Sequence, residues 1–235
     1  MIIFKRVSLT RAVQSAFSTY GKNSRFFLTV SGLTFLIYLT CIVIHISFLC
    51  ISFSIKNFCV LPSNLMHTVQ GLFSIQIITL LWSVALLALF ELYYYQLLRF
   101  CIQIYEGTTP SWKSFFTESP TNFFWYFLAR TLYRIKCMLG LLLFIIPGVL
   151  YALKNYFTGY SIAHSLTESI KEDALLSRKF TADTKGRIFL LLCLNAVAYS
   201  LLGILYPLIL PLIILIDLHV YKQLMAPYDS TETVL

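Results

Sequence analysis

Charged residues are scarce in this sequence. Aspartate, glutamate, lysine and arginine make up only 12% of its 235 residues, whereas 58% of the residues are hydrophobic. A soluble protein typically has about 25% charged and about 45–50% apolar residues. The polar stretches between the apolar runs are too short to form a soluble domain of their own. The composition therefore predicts an integral membrane protein, with residues 1–235 forming one all-α bundle of membrane helices.

The sequence also lacks the short signatures of common catalytic and cofactor sites. It contains no GxSxG, HExxH, P-loop or GxGxxG motif. Its six cysteines form no CxxC pair. Its histidines are scattered without the spacing of metal ligands: His45, His67, His164 and His219. We therefore predict that the protein is not an enzyme and that it holds neither a cofactor nor a metal ion.

Basic residues outnumber acidic ones, and the formal net charge is +8. Nucleic-acid binding would require these residues to cluster on one folded face. Here they flank apolar segments instead, which is typical of contact with anionic lipid headgroups. The predicted partner is therefore the lipid bilayer and not nucleic acid. A protein partner in the membrane stays an open alternative, without a chemical identity.

The apolar runs predict about six membrane spans, paired as three hairpins. They cover residues 27–53, 72–100, 122–146, 149–162 and 188–205, and a last span that ends at residue 224. A helix needs about 20 residues to cross the hydrocarbon, so the fourth segment is short. The sequence leaves open whether the third and fourth segments cross completely.

The distribution of lysine and arginine predicts the orientation of these spans. Of the 18 basic residues, thirteen fall on one side of the six-span arrangement and only Lys56 falls on the other. By the positive-inside rule, both termini are predicted to be cytoplasmic. A five-span alternative, with 137–158 as one crossing, would place five basic residues outside, and we reject it for that reason.

Two stretches, 7–20 and 165–180, have the pattern of amphipathic helices. We expect them to lie on the cytoplasmic surface of the membrane, although the first could also be an ordinary cytosolic helix. In the second, Ser165 and Glu168 have the spacing of a capping box. The predicted apolar stripes are Leu9, Val13, Ala16, Phe17 and Tyr20 in the first helix, and Leu166, Ile170 and Ala174 in the second.

The chain is expected to reverse at Pro147 and Gly148, which lie in the middle of an apolar run. Proline removes a backbone donor and clashes with the preceding helical turn, and glycine frees the backbone for the reversal. Residues 122–162 would then form a tight central hairpin. The rival interpretation is one kinked helix through 137–158.

Five charged residues lie within the apolar segments and form a predicted polar cluster. They are Glu91, Arg130, Arg134, Lys154 and Asp217. Each costs about 2.5–3.5 kcal/mol at the centre of a membrane helix, so pairing is expected. We expect Glu91 to meet Arg130, and Asp217 to meet Lys154 or Arg134. Closed pairs would indicate structural contacts between spans, whereas an open lined path would indicate a transporter. We favour closed pairs because the charges are few and balanced in sign.

Residues 7–100 and 165–224 resemble each other as units of a parallel internal repeat. Each unit has an amphipathic helix, a basic turn and a two-span hairpin. Each hairpin closes with an acidic residue followed four positions later by tyrosine, as in Glu91 with Tyr95 and Asp217 with Tyr221. The central hairpin would lie between the two units.

Three segments carry a resemblance to a known family. They read IIPGVLYALK, DALLSRKFTADTKGRIFLL and YEGTTPSWKSFF. They resemble the uncharacterised bacterial inner-membrane proteins of the YciC type, which are similar to the membrane domain fused to some glycerophosphodiester phosphodiesterases. Two departures are the extra TAD before Lys185 and a missing tryptophan. The resemblance implies six spans and supplies no active site, and the sequence contains no phosphodiesterase domain.

These observations leave two classes of function. The first is a non-enzymatic membrane scaffold or accessory subunit that works through its amphipathic helices at the lipid surface. The second is a small transporter or a protein that handles lipids or other amphiphiles, using the charges within the membrane.

Overall fold

The computed structural model describes residues 8–58, 65–108, 113, 115, 123–164 and 169–232. The regular elements in these ranges are all helical, which confirms the predicted all-α class. They are α1 (Leu9–Lys22), α2 (Ser24–Phe58), α3 (Leu65–Tyr105), α4 (Phe123–Leu143), α5 (Ile145–Lys154), α6 (Thr158–Ala163), α7 (Ile170–Thr181), α8 (Lys185–Leu202), a short 3₁₀ turn (Gly203–Leu205) and α9 (Tyr206–Glu232).

Three helices are long and apolar enough to cross a membrane. In the part of the chain that the structure describes, these stretches are Ser24–Ser47 in α2, Ile77–Tyr105 in α3 and Tyr206–Ala226 in α9. They make the chain consistent with a membrane protein. Neither α5, with 10 residues, nor α6, with 6, covers a hydrocarbon core of about 30 Å alone, at 1.5 Å per residue.

The two ends of the bundle differ in how well their side chains are covered. Within α3, Leu80 and Leu81 are 64% and 63% exposed, whereas Leu97 and Leu98 are fully buried. We call the buried end, which contains residues 91–105, the core end, and the other the apolar end. Large exposed apolar side chains also cover the apolar end of α2, α4 and α8. Such a surface suits lipid and not water.

The central hairpin is present, but its turn lies earlier than the sequence predicted. Phe144 is extended, with φ −157° and ψ 132°, and separates α4 from α5. The helices then run antiparallel, because Gly140 packs on Gly148 and the Tyr133 hydroxyl donates to the Ala152 carbonyl at 3.4 Å. The hairpin prediction is therefore confirmed, and the single kinked helix is wrong.

Pro147 and Gly148 begin the return helix and do not form the turn itself. Pro147 lies in the first turn of α5, where a backbone N–H has no partner within the helix, so proline is tolerated there. Gly148 is needed for close packing: a Cβ there would lie 2.6 Å from the Leu141 backbone nitrogen. Sequence reasoning recognised the unusual pair and misassigned its role.

The return segment continues from α5 into α6 after an irregular break at residues 155–157. Gly159 of α6 lies against Tyr126 of α4, so the segment keeps its antiparallel course toward the core end. Hydroxyl groups of α7 cap the break. The Lys154 carbonyl accepts from Ser177 at 3.1 Å and from Thr181 at 3.3 Å. The predicted fourth segment is therefore two short helices and not one.

The second amphipathic helix, α7, buries a polar face that the predicted stripe did not include. Its buried residues are Asp173, Ser177, Phe180 and Thr181. The Ser161 hydroxyl donates to Asp173, and the Ser177 hydroxyl accepts from the Phe157 backbone N–H at 3.2 Å. These contacts hold α7 antiparallel against α6, since buried polar groups require hydrogen-bond partners. Ile170 and Ala174 of the predicted stripe are only partly buried.

The beginning of α7 also differs from the prediction. Ser169 is the N-cap, and its hydroxyl accepts from the Lys171 N–H at 3.3 Å. The predicted capping pair, Ser165 and Glu168, and the stripe residue Leu166 lie outside the described residues.

The first amphipathic helix, α1, packs mainly on α9. Ala12 and Ala16 are fully buried and allow a close approach. The Ser8 N–H donates to the Gln223 side chain at 2.9 Å. Phe17 is 57% exposed, so only part of the predicted stripe is covered by protein. Helix α2 also packs chiefly on α9, and it diverges from α3. The order of elements agrees with the predicted repeat, which stays a prediction.

Candidate functional site: a closed polar cluster

Glu91 of α3 forms the first half of the polar cluster. Its side chain is 1% exposed and lies against two arginines of α4. Glu91 is paired with Arg134 through Oε1, and its Oε2 lies 3.5 Å from the Arg130 Nε. The arginines are four residues apart and therefore share one helical face. The predicted contact of Glu91 with Arg130 is confirmed, and Arg134 joins it.

Aromatic rings flank the more buried of the two arginines. The Arg130 guanidinium carbon lies 5.0 Å from the centroid of the Tyr94 ring and 5.9 Å from that of Tyr126. A cation is attracted to the face of such a ring, more strongly where water is excluded. Arg130 therefore has an acidic partner and two aromatic ones, which compensate for its removal from water.

Asp217 of α9 forms the second half, and its partners differ from those predicted. Its side chain is 2% exposed. It accepts hydrogen bonds from the hydroxyls of Tyr156 at 2.9 Å and Tyr160 at 3.0 Å, and from the Asn195 amide at 3.3 Å. Neutral donors thus hold this carboxylate. Tyr94, whose ring faces Arg130, lies beside Tyr160 and so connects the two halves.

The predicted pairing of Asp217 with Lys154 or Arg134 is wrong. Arg134 lies against Glu91, and Lys154 ends α5 with its side chain exposed. Lys154 instead contributes its backbone carbonyl, which accepts from the Ser177 hydroxyl of α7. Carbonyls at a helix C-terminus have no partner within the helix and are free to accept such a bond. The prediction considered only charged residues as partners of Asp217. Tyr156 and Tyr160 were missed as donors, although they are four residues apart, which is the spacing of one helical face.

The cluster leaves almost no free space. The cavity beside it measures about 10 Å³, room for at most one water molecule. It is lined by Ala129, Arg130, Tyr133, Asn155, Tyr156, Thr158 and Gly159. Within the described ranges, this geometry corresponds to closed contacts between helices and not to a lined path.

A second ionic cluster, which the sequence did not reveal, joins the ends of α3 and α6 to α9. Glu106 follows α3, His164 follows α6 and Lys222 belongs to α9. The Glu106 carboxylate lies 2.9 Å from the His164 Nε2 and 3.4 Å from the Lys222 Nζ. Burial alone would raise the pKa of Glu106, but the His164 hydrogen bond and the Lys222 charge outweigh burial and lower that pKa.

This lowered pKa predicts a small pH-dependent contribution to stability. It is fully present above the unfolded pKa of Glu106, near 4.5, and is lost as the pH falls through the lower folded value. Because Glu106 is half exposed, we expect Glu106→Gln to lower the unfolding free energy by only about 0.2–1 kcal/mol at pH 7. Unfolding measurements in detergent should show the unfolding free energies of the wild type and of Glu106→Gln converging at acidic pH. A difference that grew on acidification would contradict this assignment.

The chain matches no known family model, no curated protein and no solved structure. The resemblance to YciC-type proteins therefore stays a prediction. In the part of the chain that the structure describes, no three histidine, cysteine, aspartate or glutamate side chains come together to hold a metal ion.

Proposed function

We propose that this protein is a non-enzymatic scaffold or accessory subunit of a bacterial inner membrane, with six crossings and cytoplasmic termini. The observation that carries the proposal is that the buried acidic groups are matched by partners from other helices and leave no open path. Glu91 is matched by two arginines, Asp217 is matched by three neutral donors, and the adjoining cavity holds about 10 Å³. A transport path would require space and accessible charges at this place.

The orientation is supported by where the exposed basic residues lie. Lys22, Arg25, Lys171 and Lys179 are exposed on the helices that form the core end. In the proposed placement, these residues face anionic headgroups and the cytoplasm. The apolar side chains beyond the core end lie in the hydrocarbon, and the tip of the α4–α5 hairpin at Phe144 reaches the outer surface of the membrane.

The proposed topology predicts opposite labelling at two engineered cysteines. In a cysteine-free background, Phe144→Cys should react with an impermeant thiol reagent added outside the membrane. Asp183→Cys should react only after the membrane is permeabilised. Phe144 is the appropriate position because it is exposed at the tip, whereas Gly148 is packed on Gly140. Protection of Phe144→Cys on both sides would indicate that the hairpin enters the membrane without crossing it.

The scaffold function predicts that the protein binds another membrane protein and does not move a substrate across the membrane. Chemical crosslinking in intact membranes, followed by mild solubilisation and mass spectrometry, should recover a specific membrane protein. Vesicles that contain only this protein should not move a fluorescent lipid between leaflets. Lipid movement that is abolished by Glu91→Gln, in a variant that keeps its fold, would contradict the scaffold and favour the transporter.

A second candidate is the handling of a lipid or another amphiphile. One observation favours it: α2 and α3 diverge and leave a groove of about 710 Å³ between them. This volume lies within the range of about 300–1,000 Å³ for ligand pockets.

A further inference from the structure

The groove between α2 and α3 has mostly apolar walls and a polar inner end. Ile37 and Cys41 line it from α2, and Leu86 and Leu87 line it from α3. Thr34, Tyr93 and Gln96 lie at the core end of the same groove. A long apolar wall with a few polar groups at one end suits a chain-like amphiphile.

Aromatic packing closes the groove at its core end. Phe115 is 3% exposed, and its ring centroid lies 5.8 Å from that of Tyr93 and 5.3 Å from that of Phe100. The groove therefore stops inside the protein at this end. An occupant has to enter sideways from the lipid or along the apolar end.

The length of the groove corresponds to one leaflet of a bilayer. Its wall extends over thirteen residues of α2, from Thr34 to Ile46, and over fourteen residues of α3, from Ser83 to Gln96. At a rise of 1.5 Å per residue, the first and last Cα atoms of these stretches are about 18 and about 20 Å apart. Half of a hydrocarbon core of about 30 Å is about 15 Å. One acyl chain of one leaflet fits this length.

Basic side chains adjoin the core end of the groove. Lys113 is exposed and lies two residues before Phe115 in the chain. Arg25 is exposed on α2, nine residues before Thr34, which is about 13 Å along the helix. Both residues lie toward the core end of the groove, so a headgroup at that end is nearer to them than the acyl chain is. Their charge complements a phosphate group and not a neutral headgroup.

We propose that the groove holds one acyl chain of an anionic phospholipid from the cytoplasmic leaflet. The phosphate stays at the lipid-facing rim of the groove, at the level of Thr34 and Gln96, and faces Arg25 and Lys113. The acyl chain lies between α2 and α3, along the part of the pair where these two helices make few direct contacts. This inference rests on the orientation in the proposed function, and it names a lipid that the fold itself binds.

The test uses the purified full-length protein, stripped of lipid and titrated with phosphatidylglycerol or phosphatidylcholine. Native mass spectrometry counts the lipids bound. We expect one tightly bound phosphatidylglycerol molecule and weaker binding of phosphatidylcholine. Leu86→Trp fills the groove and should weaken phosphatidylglycerol binding by about tenfold or more. The matched control is Leu81→Trp, on the same helix at a position that does not line the groove, and it should bind as the wild type does.

The headgroup is tested separately. Arg25→Gln and Lys113→Gln should each weaken the binding of phosphatidylglycerol by about fivefold and leave the binding of phosphatidylcholine unchanged. Equal loss for both lipids would overturn the assignment of an anionic headgroup. Equal binding by Leu86→Trp and Leu81→Trp would overturn the groove assignment. Retention of a free fatty acid in place of phospholipid would overturn the assignment of a phospholipid.

A photoreactive acyl chain provides a measurement on the wild-type protein that does not depend on how the variants fold. Crosslinks should concentrate on residues 37–45 and 83–93, and crosslinks confined to other surfaces would contradict the proposal. A failure here leaves the labelling at Phe144 and Asp183 unaffected, so it can be distinguished from a failure of the proposed topology.

Discussion

Replacing Glu91 by glutamine is expected to destabilise the protein by about 3 kcal/mol or more. The substitution keeps the size of the side chain and removes its charge. Arg130 and Arg134 then remain close together without an acidic partner, and breaking a buried ion pair in this way typically costs about 3–5 kcal/mol. Arg134 is 37% exposed and can partly reach solvent, so the lower part of this range is expected. Unfolding of the detergent-solubilised protein measures the effect.

The matched control is Glu106→Gln, which makes the same chemical change at the exposed ionic cluster. Its effect should be several times smaller. A second variant, Glu91→Gln with Arg134→Gln, removes one of the two unmatched charges and should regain part of the lost stability. Equal effects of Glu91→Gln and Glu106→Gln would show that the buried pair does not hold α3 against α4.

Placing a methyl group at Gly148 is expected to force the central hairpin apart. The new Cβ would lie 2.6 Å from the Leu141 backbone nitrogen and 2.9 Å from the Gly140 carbonyl carbon. Backbone atoms cannot rotate away as a flexible side chain can, so α4 and α5 must separate. Overpacking of this kind typically costs about 1–3 kcal/mol. We expect Gly148→Ala to lower the unfolding midpoint and to increase proteolysis at the hairpin.

The control for this prediction is Gly32→Ala in α2. Nothing lies within 4 Å of a Cβ at that position. Alanine favours helix over glycine by about 1 kcal/mol, so Gly32→Ala should be neutral or stabilising. The two variants make the same substitution within helices, and opposite signs are expected. A Gly148→Ala protein as stable as the wild type would contradict the close packing of Gly140 on Gly148.

The two largest expected effects concern the same helix, α4. Its core end is held by charge, through Arg130 and Arg134, and its apolar end is held by close backbone packing at Gly140. This division follows the surroundings. A charge is stabilised where an acidic group and tyrosines face it, whereas helices surrounded by apolar side chains gain most from small residues that permit close contact.

The helical class, the apolar runs and the existence of the central hairpin were predictable from the sequence alone. These features depend on local composition, since a run of apolar residues without charges forms a helix in lipid whatever its neighbours are. The pairing of Glu91 with Arg130 was also predictable, because a buried charge requires an opposite one and few were available.

The remaining features were decided by tertiary contacts, which sequence spacing does not contain. Asp217 is matched by hydroxyl and amide donors from three other segments, and tyrosine carries no charge that would reveal it as a partner. Helix α7 buries its polar face because the break at residues 155–157 exposes backbone groups that need hydrogen bonds. The turn lies at Phe144 and not at Pro147, because Gly148 is required where two helices touch, and only the folded hairpin determines that position.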